Sequence, residues 1–286
     1  MIANHQAGLA AVDGHISLED VEDHRRMSKI FEEQKPLWTP GIETGYHGFT
    51  FGWLLDQLVR RTDSKHRSLA QFFGEEIAKP YDIDFYIGLP TELEPRVACV
   101  SPTPVRDLLG QILHRPRNLI GFLRQMRSHM SPRSLMNKIH SNCRQMLDEL
   151  GGGINSFNDA TMHRLEIPGA NGLATARGLA RTLSLLVEGE LIRGETIEHL
   201  RTPTLLDQRD LALRLRVNWG HGFWYTHPPD SRDRWLLGHP GSGGCNVKVD
   251  LDKELAFAYV TNGVRAVMDD QLLTWRRLQN ALYQCV

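Results

Sequence analysis

The sequence predicts an α+β domain, and three observations carry that prediction. Capping patterns and helical apolar spacing run through most of the chain ahead of Glu190; short β-branched and aromatic segments take over after Leu213; one more apolar stripe lies near the C-terminus. With 286 residues, 41 % hydrophobic and 23 % charged, a single core-bearing domain over 1–286 holds all of these elements.

Ser17 to Asp20 forms a capping box flanked by Ile16 and Val21, and opens a helix expected from Leu18 to about Gln34, stopped before Pro36. The loop Pro36 to Gly41 follows, and Tyr46 ends it, close to the start of a helix expected from Phe49 to about Arg61 with Trp53, Leu54, Leu58 and Val59 inward. A second capping pattern, Ser68 to Gln71, opens a helix burying Leu69, Phe72, Phe73 and Ile77 and ended by Pro80. Gly151-Gly152-Gly153 reads as a flexible joint, followed by a short helix near Asn158, a turn at Pro168-Gly169 and an amphipathic helix from about Leu173 to Glu188. Val217 to Tyr225, Arg234 to Gly238, Cys245 to Val249 and Leu255 to Thr261 read as an antiparallel meander, with Leu251 to Glu254 as a tight hairpin connection. A last helix, Val267 to Tyr283, is expected to pack Leu272, Leu273, Leu278 and Leu282 across the sheet.

Charge and composition exclude several classes of function. Lys and Arg total 33 against 34 Asp and Glu, so a net charge of −1 supplies no overall field for nucleic acid or an anionic membrane. No apolar run approaches the ~20 residues of a membrane helix, so no membrane span is expected. Met1 to Gly14 lacks the basic and apolar regions of a signal peptide, and the chain itself assigns no compartment. Cys99, Cys143, Cys245 and Cys285 stand far apart and read as free thiols of a reducing compartment. Between Arg106 and Arg144 eight basic residues face one acid, Asp107, which marks a basic helical insertion over 100–160. That insertion reads either as a solvated face or as a patch for an acidic protein, lipid headgroups or RNA; Phe122 as its one aromatic weakens a base-stacking platform, and no nucleic-acid partner is expected. There is no HExxH, His140 and Cys143 lack a second ligand pair, and GxxxxGK[ST] is absent, so neither a metal nor a nucleotide cofactor is expected.

Two segments carry candidate chemistry. In Gly238-His239-Pro240-Gly241-Ser242-Gly243-Gly244, four glycines around a His and a Ser at a strand-to-strand connection let backbone N–H groups approach a ligand, although the same pattern suits a plain hairpin with a structural His. Pro240 breaks the GxSxG frame of a nucleophile elbow. Tyr46, between Gly45 and His47-Gly48, could shuttle a proton if a neighbouring cation lowered its pKa, and otherwise reads as a packing residue.

Taken in order, Asn4-His5-Gln6-Ala7-Gly8-Leu9, Trp38 to Gly41, Tyr46-His47-Gly48, Gly52-Trp53-Leu54, Phe72-Phe73 to Gly88-Leu89-Pro90, Ala176 to Arg181, His239-Pro240-Gly241 and Thr261-Asn262 form a series. On these blocks the chain resembles the serine β-lactamase-related family, which holds class C β-lactamases, penicillin-binding carboxypeptidases, family VIII esterases and LACTB-like proteins. The resemblance spans roughly residues 1–95 and 165–265 and is nearest to the esterase and LACTB-like members. It implies a β-lactamase/transpeptidase-like fold and hydrolysis of a small acyl substrate (ester, amide or lactam) through an acyl-serine, without metal or organic cofactor. In that scheme the Ser of an SxxK motif attacks, its Lys helps deprotonate it and a Tyr relays a proton. Tyr46 would be that Tyr and His239-Pro240-Gly241 the third motif; Gly241, Ser242 and Gly243 would bind substrate, the Ser242 N–H completing an oxyanion hole.

Two departures stand out: Gly48 replaces an Asn common in the Tyr motif, and no SxxK occurs in the chain. The resemblance orders that motif before His5, so the nucleophile and the first strands are expected upstream of Met1. The chain alone is then expected to be inactive, with an unpaired sheet edge open to self-association. One alternative is a non-catalytic binding or assembly protein using the pocket and the basic insert; another is an enzyme with Ser242 and His239 as a rebuilt pair.

Overall fold

The computed structural model describes residues 1–104, 131–192, 194–265 and 272–286. The centre of the basic insertion, 105–130, and most of the approach to the last helix, 266–271, lie outside the described residues.

The helical part begins with a correction. Instead of one helix to Gln34 there are two, α1 (Leu18–Glu22) and α2 (His24–Glu33), because Asp23 acts as an internal N-cap. Its carboxylate accepts the N–H groups of Arg25 and Arg26 while its own backbone is extended, which ends one helix and starts the next. The Ser17 capping box is present as expected. Helix α3 (Thr50–Thr62) buries Trp53 and Leu54, but Leu58, expected inside, is 50 % exposed. Helix α4 (Leu69–Phe73), opened by the Ser68 box, continues into a π-helical turn, Gly74–Ala78. Strand β1 (Phe85–Tyr86) pairs with β2 (Leu173–Ala174), between which come α5 (Leu135–Glu149) and α6 (Ala160–Arg164). The glycines 151–153 turn the chain after α5, all with positive φ. Helix α7 (Ala176–Val187) starts three residues later than expected, because Thr175 caps it by accepting the Gly178 N–H at 3.0 Å and leaves Leu173–Ala174 extended. Helix α8 (Glu195–His199) follows.

Six strands form one antiparallel sheet in sequence order: β3 (Leu205–Arg209), β4 (Arg216–Gly220), β5 (Phe223–Thr226), β6 (Leu236–Pro240), β7 (Asn246–Asp250) and β8 (Leu255–Tyr259). The expected segment Val217 to Tyr225 is two strands joined by His221-Gly222, both at positive φ, the geometry of a two-residue hairpin. The Leu251 to Glu254 connection is as expected, shaped by Asp250 Oδ1 accepting the N–H groups of Asp252 and Lys253. Helix α9 (Leu273–Tyr283) turns Trp275, Gln279 and Tyr283 inward; of the expected leucine stripe Leu272 is buried just ahead of the helix, whereas Leu273 and Leu278 are exposed, a correction. The aromatic side chains have more apolar area to bury, and Trp275 stacks on Phe257 of β8 at 5.3 Å.

Separate cores fill the helical part and the sheet, and smaller clusters around Ala10, Met136 and Trp219 reach Tyr46. Val12, Ile16, Met27, Phe31, Trp53, Met146 and Ile167 fill the helical part, while Leu186 of α7 packs on Tyr225, Leu237 and Val249 of the sheet. Asn142 of α5 is a buried polar link: it exchanges hydrogen bonds with the backbone of Val12 in both directions, at 3.0 and 2.9 Å, and so fixes the N-terminal segment.

Candidate active site

Tyr46 and His239 lie on segments far apart in sequence, and the fold brings their rings to 5.8 Å, inclined by 26°. His239 stands on β6 opposite Val247, on the sheet face that bears the core beneath α7. At its neighbour Gly238 a Cβ would fall 2.0 Å from the Val247 carbonyl oxygen, so only glycine lets β6 and β7 approach this closely. Trp219 of β4 completes a set of near-parallel rings, 6.0 Å from Tyr46 and 5.9 Å from His239, and Trp224 of β5 meets His239 edge-on at 6.0 Å.

The loop carrying Tyr46 is held from both sides. The Gly45 N–H donates to the His5 carbonyl at 3.0 Å and the His47 N–H to His5 Nδ1 at 3.2 Å. His47 donates from Nδ1 to the Gly45 carbonyl at 2.6 Å and accepts the Leu9 N–H at Nε2, which fixes a neutral ring. Burial lowers the His47 pKa to about 4 and takes His5 well below the usual histidine range. On the other side, the Tyr46 N–H donates to Asp210 Oδ1 at 3.1 Å.

Burial, and then the charge of Asp210, push the Tyr46 phenol up to about 12. Among the described residues the charged neighbour is an acid rather than the cation that the proton-shuttle expectation required, so the phenol stays protonated at neutral pH. The glycine-rich turn closes tightly. Gly241 donates its N–H to the Cys245 carbonyl at 2.7 Å, Ser242 opens a short 3-10 turn with its side chain exposed, and Gly243 sits at φ +84 against Val264. His239 Nδ1 bonds the Pro240 carbonyl oxygen at 2.7 Å, and among the described residues no hydrogen bond joins it to Ser242. The segment Ser101–Pro104 reaches this turn: the Ser101 N–H donates to Asn262, Val264 donates back to Ser101, and the Thr103 hydroxyl bonds the Val264 carbonyl. The N-terminal end of the basic insert is therefore anchored beside the site.

Asp210 and Trp219 escaped the sequence reading. Asp210 ahead of Ala212 and Leu213 has the signature of an Asx turn, which marks a connection, and nothing in the local pattern joins it to Tyr46.

A tyrosine loop between helices facing a histidine strand on an antiparallel sheet is the arrangement expected from the resemblance, and the family match and solved structures show a β-lactamase/transpeptidase-like fold. The chain belongs to the Beta-lactamase family, whose model matches residues 1–282. It is 30 % identical over 277 residues to the "Esterase/beta-lactamase LipL" of Mycobacterium tuberculosis (strain ATCC 25618 / H37Rv), an alignment covering 91 % of this chain and 57 % of that protein. The chain thus spans little more than half the length of this relative. Among solved structures it is similar to a family VIII carboxylesterase, with TM-score 0.79 and 24 % identity over all of this chain and 70 % of the other. It is also similar to a penicillin-binding protein homologue from Caulobacter crescentus, with TM-score 0.75 and 25 % identity over 99 % and 70 % of the two chains. EstA from Arthrobacter nitroguajacolicus Rue61a gives TM-score 0.76 and 22 % identity over 99 % and 70 %.

Proposed function

We propose that this chain supplies the tyrosine–histidine side of an acyl-transfer site that hydrolyses small esters, amides or lactams through an acyl-serine. The observation that carries the reading is the approach of Tyr46 and His239, the two residues the family resemblance assigns to the site, to 5.8 Å. In this scheme a serine hydroxyl adds to the acyl carbon, and its proton passes to the lysine of the same motif. The tetrahedral oxyanion then collapses, the C–O or C–N bond breaks, and the leaving alcohol or amine takes a proton from Tyr46. The lysine then returns its proton to the tyrosinate, and in the second half water gives a proton to the free lysine as its oxygen adds to the acyl carbon, that proton passing to the serine oxygen as the acid leaves. A protonated resting Tyr46 suits the donor role. No SxxK motif stands in the chain, so the chain by itself is inactive in this reading.

Incubation of the folded chain with a fluorophosphonate probe, followed by intact-mass measurement, is expected to give no adduct. A stoichiometric adduct lost in Ser242→Ala would overturn the reading in favour of the rebuilt pair. Joined to the SxxK-bearing segment of a relative, the chain is expected to hydrolyse p-nitrophenyl acetate, and Tyr46→Phe is expected to slow that by about 10²–10⁴-fold.

A further inference from the structure

Asp210 has no solvent exposure and lies just beyond the end of β3. Its Oδ1 accepts three backbone N–H groups: Ala212 at 2.9 Å, Leu213 at 2.8 Å and Tyr46 at 3.1 Å. The first two shape the β3–β4 connection. The third crosses 164 residues to the loop of the candidate site. A parallel bridge pairs Thr44 with Asp210, and the Leu211 N–H donates to the Thr44 carbonyl at 2.9 Å, so the loop is tied here twice.

Oδ2 is sealed from water without a well-formed hydrogen bond, and so is the indole Nε1 of Trp219; the two lie against each other. One carboxylate therefore touches both the main chain of Tyr46 and the side chain whose ring stacks on Tyr46 within 3° of parallel. A buried carboxylate held by N–H dipoles rather than a cation carries a desolvation cost that an apolar residue would avoid. Its placement makes sense as orientation.

Resting on the acyl-transfer reading of this site, we propose that Asp210 is its positioning residue: a single buried carboxylate fixes the Tyr46 backbone and the overlying Trp219 ring, and thereby sets the phenol opposite His239. It acts on the reaction only through Tyr46. The other titratable groups facing the phenol are His5 from the N-terminal segment at 5.0 Å and His239 from β6 at 5.8 Å, with His47 next in sequence. His5 and His47 are kept neutral by burial. Asp210 is thus the acid whose charge the phenol feels.

The test places 3,5-difluorotyrosine at position 46, where its fluorine resonances report both ionisation and surroundings, in the parent chain and in Asp210→Asn. The carboxamide oxygen still accepts the three N–H groups but carries no charge. The Tyr46 titration is expected to move down by about one pH unit in Asp210→Asn, roughly a tenfold gain in acidity. Asp210→Ala is expected also to lose the fluorine shift caused by the Trp219 ring. An unchanged fluorine shift in a folded Asp210→Ala would overturn the proposal, because the ties from Asp210 to the Tyr46 main chain and the Trp219 ring are then not what sets the phenol. If that variant fails to fold, hydrogen exchange of the Tyr46 amide in the parent decides: protection like that of a sheet amide supports the tie, and exchange at an open-loop rate refutes it. None of these readouts requires turnover, so a failed hydrolysis assay would count against the acyl-transfer reading and leave the Asp210 result standing.

Discussion

His47 carries part of the pH sensitivity of the site, beside His5. Folded, it titrates at about 4 because burial opposes its charge, against 6.5 for the free side chain. Its depressed pKa means the unfolded state binds the proton first, so the stability is present in full above about 6.5 and is lost as pH falls toward 4. The loss at pH 5 is expected to be about 2 kcal/mol, read as a drop in the urea midpoint between pH 7.5 and pH 5. His47→Asn should remove its share of that drop and leave the part due to His5; a parent midpoint unchanged over the same range would contradict the assignment. Little of this was legible in the sequence. The Tyr-His-Gly block pointed to Tyr46, whereas the neutral state of His47 follows from an N–H and a carbonyl brought to its two nitrogens by Leu9 and Gly45, a pairing that only the folded loop creates.

Among the elements, local chemistry was legible where a side chain acts on its own backbone. Ser17, Ser68 and the hairpin at Asp250 are of that kind. Asp23 is too, yet periodicity ran through it, since a cap inside an amphipathic stretch leaves the apolar spacing undisturbed. Strand β3 was missed because it is an edge strand with a register shift and four exposed positions, so no inside–outside alternation marks it. The last helix shows the limit of counting leucines. Trp275→Ala is expected to cost about 3–5 kcal/mol in thermal or urea unfolding, and Leu278→Ala under about 0.5 kcal/mol. Equal effects would restore the leucine face.

For the whole molecule, contacts distant along the chain tie the helical core within itself, residue 142 with residue 12, and join its part of the chain to the sheet region, residue 210 with residue 46 and residue 262 with residue 99. Such a topology folds slowly, because loop closure must precede the contacts that reward it. Refolding from urea is expected to be multiphasic, with the fluorescence change lost in Trp219→Phe among the slow phases. A single millisecond phase for all probes would speak against this order of assembly. The fold class and the meander could be read from the sequence, since both depend on local period. The ring set of Tyr46, Trp219 and His239 could be assembled only through the family resemblance, and then without Trp219.

The hydrogen bond from Tyr46 to Asp210 also has a meaning in time. A ribosome adding about 5–20 residues per second needs roughly ten to thirty seconds to make the 164 residues between them. Through that interval the nascent helical part carries Tyr46, Trp38 and Phe51 without the strands that later cover the loop. The chain in a cell therefore has a waiting period, set by the distance between two site residues, during which a chaperone that binds exposed aromatic segments would find its target at the tyrosine loop.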